Sequence, residues 1–435
     1  MEMKEEVRHF ESELAIIGSG IAGFAASIFA LKKGIKTTQI GNTGAVAYTT
    51  GYLDLLGKIG GSTDIITDPW KGLEQLKKNQ PDHPLSRIPI DDIRTSFNQF
   101  TDFLNQSGIG YSAPLDRNLT ALTPVGTLKP TLCVPATMEP GIRALSAKTP
   151  CIIIDFKGLK GFSGRQVVAN LKESWPDLTT RRIHFPDMEK GEVYPEVMAR
   201  ALEVPATRER LAKLLKDAAG EALIIGLPAV LGMHNPDLVR ADLEKLTGLN
   251  IFEIPTMPPS VPGIRLRELF EQVFPHEGLT LIPQQKIETL SFDDKGATLH
   301  LKDNYGPISI HAKSVLLATG RFLSGGLEAH ITGITETLLD LPVTQPKNRT
   351  DWYQDRYTDS RGHALHKAGI EVDDSFRPLT KDGKPYNQRL FAAGIILAHQ
   401  DWIRARSGAG IAIATAYKAI EAISIFLEEL TNIKK

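Results

Sequence analysis

Gly18, Gly20 and Gly23 stand at the spacing G-x-G-x-x-G within Gly18-Ser19-Gly20-Ile21-Ala22-Gly23. In such a run the first glycine permits a tight turn, the second lets backbone N–H groups approach a pyrophosphate, and the third lets a helix pack closely on a strand. The implied chemistry is anion binding at a helix N-terminus, where unpaired amides and the macrodipole favour negative charge. The spacing alone also occurs in ordinary turns, so its context decides. An apolar run at residues 14–17 precedes it, and from Ile21 to Lys33 apolar residues recur at helical spacing. Gly34 suits the position just past the helix, and residues 35–40 read as a returning strand that ends at Gly41. Strand, turn, helix, strand is the opening of a dinucleotide- or flavin-binding domain. The carboxylate expected about twenty residues on, to bond an adenosine ribose, is missing. The second strand ends Gln39-Ile40-Gly41-Asn42 instead, so either the ribose is held otherwise or the ligand lacks an adenosine.

Two later stretches could complete such a site. Ala318-Thr319-Gly320 closes an apolar strand, where a glycine lets the backbone pass close to a cofactor. Near the C-terminus a short strand closes at Gly394, and Gly408, Ala409 and Gly410 open a second helix. A helix N-terminus at the pyrimidine end of a flavin would stabilise the negative charge that reduction places there. Arg321, with Arg404 and Arg406 outside it, could tune that charge, and His399 is the nearest candidate for a proton-abstracting base. If the chain has a small anionic substrate of its own, residues 255–265 and 123–129 would line the pocket, with Arg265 and Lys129 as phosphate or carboxylate ligands.

Composition narrows the alternatives. The 435 residues carry 50 Lys+Arg against 51 Asp+Glu, a net charge of −1 without long single-sign blocks, which gives nucleic acid binding no support. Cys133 and Cys151 occur without any C-x-x-C, which excludes a four-cysteine iron–sulfur cluster in this chain and predicts two buried thiols. The histidines, among them His184, His234, His276, His363 and His366, form no H-E-x-x-H pattern, so no metal site is expected. Residues 1–13 are a charged lead without the apolar core of a secretory signal. The longest apolar fragments, 390–398 and 411–416, are too short to span a bilayer, which predicts a soluble or peripheral protein without a transmembrane segment.

The elements that must position these residues follow from periodicity. Residues 91–106 read as an amphipathic helix burying Ile93, Phe97, Phe100 and Leu104, and residues 195–202 and 207–219 as two helices divided at Pro205. Residues 151–158 and 221–232 begin as buried strands, and Ser163 is a candidate N-cap for the helix after the first. Residues 264–274 form a helix behind a proline-rich block, followed by a strand, a β-meander around Asn304-Tyr305-Gly306, and the strand ending in Ala318-Thr319-Gly320. The expected fold class is α/β: a Rossmann-like, two-part flavin/dinucleotide-binding domain with an inserted second (cap) domain. Residues 1–62 and 260–435 would form the first and 63–259 the insertion.

Across residues 16–419 the chain resembles the B subunits of anaerobic glycerol-3-phosphate dehydrogenases. The resemblance is carried by the fingerprint, by Gly51 with Leu53-Asp54-Leu55-Leu56, and by Thr123-Pro124-Val125-Gly126-Thr127-Leu128. More specific are Pro255-Thr256-Met257-Pro258-Pro259-Ser260-Val261-Pro262-Gly263-Ile264-Arg265-Leu266 and Thr319-Gly320-Arg321-Phe322-Leu323-Ser324-Gly325-Gly326-Leu327. It implies a flavin-containing partner of a catalytic A subunit that oxidises sn-glycerol 3-phosphate to dihydroxyacetone phosphate. Electrons would pass to an iron–sulfur C subunit and on to menaquinone, in respiration with fumarate or nitrate. The complex would be cytoplasmic and held at the inner face of the membrane through its partner subunits. The family implies FMN on this subunit, whereas the complete fingerprint points to FAD. The chain departs from the family at Arg406-Ser407-Gly408-Ala409-Gly410-Ile411, where relatives are richer in glycine and contain a cysteine. Two other readings compete: a free-standing FAD oxidoreductase, and a flavin-free scaffold, against which the three intact glycines weigh.

Overall fold

A computed structural model describes residues 6–42, 45–59, 62 and 64–432. The start of the polar lead (1–5), residues 43 and 44 after the second strand, and residue 63 at the expected domain boundary lie outside the described residues. The first elements are β1 (Arg8–Ile17), α1 (Ile21–Lys32), β2 (Thr37–Gly41), α2 (Pro69–Asn79) and α3 (Ile90–Gln106). The middle of the chain forms β3 (Leu119–Leu122), β4 (Leu128–Thr131), α4 (Glu139–Ala147), β5 (Cys151–Phe156), α5 (Gly164–Leu171), β6 (Leu178–Ile183), α6 (Pro195–Ala201), α7 (Pro205–Ala219), β7 (Ile224–Pro228), α8 (Pro236–Thr247) and β8 (Asn250–Ile254). Then come α9 (Val261–His276), β9 (Thr280–Pro283), β10 (Thr289–Phe292), β11 (Ala297–Asp303) and β12 (Gly306–Leu317). Four short strands, β13 (Leu327–Ala329), β14 (Ile334–Glu336), β15 (Val343–Thr344) and β16 (Gly369–Ile370), precede β17 (Leu390–Ala392), α10 (Trp402–Ala405) and α11 (Gly408–Asn432).

These elements group into two units: one of Met1–Ala45, Asp54–Phe100 and Phe270–Lys435, the other of Val46–Leu53 and Thr101–Leu269. The boundaries differ from the expected 1–62, 63–259 and 260–435. Residues 64–100 group with the nucleotide unit because their apolar side chains pack there: Phe100 approaches the Phe270 ring, which stacks on Phe24 of α1 at 4.5 Å. Residues 46–53 group with the other unit through backbone and tyrosine contacts. Leu53 bridges to Cys133, the Tyr52 hydroxyl donates to Leu122 O, and the Tyr111 hydroxyl donates to Gly51 O. No composition shift marks either exchange.

The nucleotide unit is built on a sheet of order β10-β11-β12-β1-β2-β9, with β17 beside the end of β12. β1 runs parallel to β12 from Arg8↔Ile308 to Ile17↔Leu317 and parallel to β2 from Leu14↔Thr37 to Ile17↔Ile40. The polar lead from Arg8 is therefore strand, beyond the apolar run that composition marks, because β12 offers it a partner along its whole length. β12 also joins two segments that read as separate strands. Its first half pairs antiparallel with β11 and its last three residues pair parallel with β17. The carboxyl ends of β1, β2, β12 and β17 consequently lie along one sheet edge, where ligands of open α/β sheets bind.

Along α11 the apolar content is high enough, and the helix long enough, to cross a membrane by length and composition, contrary to the expectation from the shorter runs. The share of that apolar window buried within the fold is 61%. Its residues pack as core, and Tyr417 meets the Phe29 ring of α1 edge-on at 5.2 Å.

The second unit carries a parallel sheet of order β6-β5-β7-β8. The two strand–helix pieces legible in the sequence are neighbours here, with β5 and β7 paired and the Ser163 hydroxyl accepting from the Gln166 amide. Cys133 and Cys151 are buried free thiols whose pKa values burial raises. Arg265 and Glu253 form a fully buried, two-pronged ion pair at 2.7 and 2.8 Å. Glu253 also accepts from Thr137 and the Leu231 amide, and Arg265 also donates to Gly232 O.

Burial alone would raise the Glu253 carboxyl, but the Arg265 charge and these hydrogen bonds outweigh it and hold the group below its ordinary value. A depressed folded pKa contributes stability above the unfolded value of about 4.3 and loses it as pH falls through the folded pKa. Glu253→Gln is expected to cost about 3–5 kcal/mol at neutral pH, since Arg265 stays buried without its counter-charge. Urea unfolding of both proteins should show that gap, and show it narrowing below about pH 4.

Candidate functional site

The turn between β1 and α1 is shaped by backbone meeting backbone. A Cβ added at Gly23 would lie 2.0 Å from Gly18 O, and one at Gly18, where φ is +134°, would lie 2.1 Å from Ala318 O. Only glycine lets α1, the turn and the end of β12 approach so closely. At Gly20 the situation is opposite: a Cβ there meets nothing within 4 Å, so its Cα faces open space in front of α1. Gly20 is also the N-cap and supplies no side-chain cap. The Gly18 amide bonds Ile40 O and the Phe24 amide bonds Gly20 O, and among the described residues no side chain caps the first-turn amides between them. Uncapped amides at the positive end of a twelve-residue helix, facing open space, can hold a phosphate.

The end of β2 explains the missing carboxylate. A Cβ at Gly41 would lie 3.0 Å from Gly18 Cα and from Ser19 N, so this strand end sits directly against the turn. Buried Gln39 faces inward: its amide donates to Gly18 O at 2.9 Å and its carbonyl accepts from the Ser27 hydroxyl at 2.9 Å. Gln39 and Ser27 thus fix the turn from behind. The sequence signals them only as the residues standing where an acid was expected.

Gly320 and Gly394 fall on the same sheet edge, after β12 and β17. The Gly394 amide donates to Thr415 Oγ1 of α11 at 2.8 Å, and its Cα abuts Ala22 in the first turn of α1. Thr319 follows Ala318, which touches Gly18. The structure therefore brings together Gly18, Ser19, Gly20, Ile21, Ala22, Gly23, Gly41, Ala318, Thr319, Gly320 and Gly394. Along this edge the hydroxyls of Ser19 and Thr319 are enclosed and have no hydrogen-bond partner among the described residues. Buried hydroxyls are normally paired, so orphaned ones beside a phosphate-ready turn fit a polar, elongated ligand such as a flavin nucleotide.

At the start of α11 the structure modifies the expectation. The Gly410 amide is not available to a ligand, because it donates to Asp54 O at 2.7 Å, and a Cβ at Gly410 would clash with Leu55 O. The amides of Gly57 and Lys58 both donate to Ala405 O, so the segment from Asp54 to Lys58 is the bed on which this helix starts. Gly408 lies against the Trp402 ring, next to Ala409.

The charged candidates are largely engaged. Arg321 donates to the carbonyls of His366, Leu397 and Gln400, so it ties together two loop segments; burial lowers its pKa to about 10, which leaves it charged at neutral pH. His399 adopts φ +65° and its Nε2 lies 2.6 Å from Glu371 Oε1, which also accepts from Thr344. Burial would raise the Glu371 carboxyl, but those hydrogen bonds hold it below its ordinary value. Nearby His83 is kept neutral, its pKa pushed down to about 3 by burial and by the neighbouring His399 and Lys367. Arg265 and Lys129 belong to the other unit, where Arg265 is committed to Glu253 and Lys129 lies over the Tyr52 ring at 6.0 Å. Among the described residues no group of three or more His, Cys, Asp or Glu is placed to hold a metal ion.

The sheet edge and glycine turn have the form of a dinucleotide- or flavin-binding domain, and the family model for an FAD binding domain matches residues 13–411, which makes the chain a flavin-binding oxidoreductase. The B subunit of anaerobic glycerol-3-phosphate dehydrogenase from Aliivibrio fischeri is 30% identical over 431 residues, covering 94% of each chain. The probable B subunit of the same enzyme from Halobacterium salinarum is 28% identical over 426 residues, covering 94% of this chain and 97% of that protein. The chain belongs to the family of anaerobic glycerol-3-phosphate dehydrogenase B subunits. Among solved structures, 3-ketosteroid delta1-dehydrogenase from Sterolibacterium denitrificans aligns over 95% of this chain and 99% of that one, at 11% identity and a TM-score of 0.43. That likeness is too loose to carry a functional argument.

The contrast between Gly20 and Gly23 can be tested. Gly20→Val is expected to cost no more than about 1 kcal/mol of stability, because its side chain enters open space, yet to abolish flavin retention. Gly23→Val is expected to prevent folding, because Gly18 O cannot yield the room. Circular dichroism with flavin absorbance on the purified variants separates the two outcomes.

Proposed function

We propose that this chain is the flavin-carrying relay subunit of an anaerobic glycerol-3-phosphate dehydrogenase. Electrons would arrive from a catalytic A subunit that oxidises sn-glycerol 3-phosphate to dihydroxyacetone phosphate. They would leave toward an iron–sulfur C subunit and menaquinone, with the complex at the inner face of the membrane through those partners. The single observation that carries the reading is the open, uncapped turn at Gly20 in a chain related to B subunits over nearly its whole length. A bound flavin supplies reversible one- and two-electron chemistry.

In this reading Gly18, Ser19, Gly20, Ile21, Ala22 and Gly23 bind the phosphate end, with Gly41 closing the turn. Thr319, Gly320, Gly394, Gly408 and Ala409 flank the rest of the cofactor, and Gly410 acts indirectly, by seating α11 on Asp54. The matching family model favours FAD over FMN. Since Gln39 is turned inward and Gly41 bears no side chain, an adenosine ribose would be held by something other than a β2 carboxylate.

The engagement of Arg321 with backbone carbonyls and of His399 with Glu371 supports a relay over an independent dehydrogenase, which needs a free base beside its substrate. The buried Arg265–Glu253 pair likewise removes the strongest candidate for a substrate anion ligand.

Two measurements test this. Flavin released from the purified complex is expected to chromatograph as FAD at one per chain; FMN would overturn the cofactor assignment, and no flavin would leave only a scaffold. The isolated chain is expected not to reduce a dye with glycerol 3-phosphate, whereas the complex with its catalytic partner does. Robust turnover by the chain alone would overturn the relay.

A further inference from the structure

Residues 345–368 run from the end of β15 to the start of β16 with only two short 3-10 turns, at Arg349–Asp351 and Ala364–Lys367. β15 and β16 pair at Thr344↔Gly369, so the ends of this long connection are held together. Connections of that length in a compact fold are uncommon, and those packed in place commonly serve binding. This one is packed in place. Trp352 O accepts from the Leu365 amide, His363 Nδ1 accepts from the Gln354 amide, and His363 Nε2 donates to Tyr357 O at 2.9 Å. Its tyrosines nevertheless face water, Tyr353 at 61% exposure and Tyr357 at 88%. A loop held in one shape with its rings in solvent forgoes apolar burial that a second surface would supply.

The loop is fastened to the sheet edge after β12. Arg321, which follows Gly320, donates to His366 O within the loop and to Leu397 O and Gln400 O beyond β17. His366 lies 3.5 Å from Asp401, and a Cβ at Gly362 would come within 3.1 Å of the Arg404 side chain. Beside these anchors stand Leu323, 86% exposed, just past Arg321, and Ile403, 54% exposed, next to Arg404. Leu323, Tyr353, Tyr357 and Ile403 are thus large exposed side chains gathered on the loops that flank Gly320, and exposed apolar groups gathered in this way mark an interaction site. The same loops are electropositive. Residues 345–368 and 401–406 hold seven Lys and Arg against four Asp, in a chain of net charge −1. Tyrosine and arginine around apolar contacts are the composition of protein-docking hot spots.

We propose that this face docks a partner protein carrying a thiolate-ligated iron–sulfur cluster, with Leu323, Tyr353, Tyr357 and Ile403 as the contact and the surrounding basic residues guiding its approach. The identity of the partner rests on the relay reading; the face itself does not. Two features select that partner. Electron transfer falls off steeply with distance, and Arg321 ties the loop to the residue next to Gly320, so a protein docked here stands beside the cofactor edge. A cluster held by cysteine thiolates is anionic, and the positive face attracts it. A second copy of this chain is disfavoured, because a two-fold contact through this face would set like charge against like.

The test uses the full chain and the purified iron–sulfur C subunit of the same dehydrogenase, following their binding by interferometry at low and at physiological salt, with flavin content and circular dichroism recorded for each variant. Tyr357→Glu and Leu323→Glu are each expected to weaken binding about tenfold or more with flavin content unchanged, since both side chains lie on the surface. Tyr353→Glu covers the case in which either variant does not fold. Lys347→Glu combined with Arg356→Glu is expected to slow association about tenfold at low salt and to flatten its salt dependence. Tyr305→Glu, as exposed (86%) in the turn between β11 and β12, is expected to leave affinity within about twofold. Unchanged affinity of the Tyr357 and Leu323 variants would overturn the proposal. So would loss of flavin from all three apolar-face variants, which would mark those residues as structural. Loss of binding to the A subunit or to anionic vesicles, with C-subunit binding intact, would give the face to another occupant and overturn it as well. Wild-type chain that holds no flavin yet binds the C subunit through these residues would overturn the relay reading and leave the docking face standing. Flavin-loaded wild type and variants that bind it equally would overturn the face alone.

Discussion

The tightest constraint in the nucleotide unit is the contact of Gly23 with the Gly18 carbonyl, with Gly18 in turn against Ala318. Side chains are excluded at both glycines, so α1 can lie on the sheet edge with its first-turn amides forward. That geometry is what gives an otherwise ordinary apolar helix the form of an anion site. Buried Gln39, bonded to Gly18 O and Ser27, stiffens the same turn from behind. A carboxylate at the end of β2 would read a ribose; the glutamine supports the turn instead.

The far end of the site depends on a different kind of contact. α11 starts where it does because Asp54 O takes the Gly410 amide and Ala405 O takes the amides of Gly57 and Lys58. Arg321 holds three loop carbonyls around the same region. A buried guanidinium used in this way is expensive to desolvate, and its pKa falls accordingly, but two of its nitrogens are paired with backbone carbonyls. The charged groups that residue type alone marks as catalytic are thus braces.

The same lesson holds in the second unit. Arginine in a proline- and glycine-rich loop suggests an anion ligand, yet Arg265 faces Glu253 with both prongs and lies wholly out of water. Once such a pair is buried, neither partner is free for a ligand without leaving a charge uncompensated. Exposure and pairing, which decide whether an arginine binds a ligand, are properties of the packed chain.

The sequence by itself determined the local units: the glycine turn between β1 and α1, the buried face of α3 with Ile93, Phe97 and Phe100, the division of α6 from α7 near Pro205, and the family. These are legible because glycine spacing, proline and helical periodicity act within a few residues. Tertiary structure alone decided that the polar lead from Arg8 is strand, since only the length of β12 makes it so, and that residues 46–53 and 64–100 change units. It also decided that the apolar window of α11 is mostly core and that Asp54 takes the Gly410 amide. Each depends on a partner far away in sequence, and no local pattern of residue types records which distant backbone a strand, a helix start or a buried charge will meet.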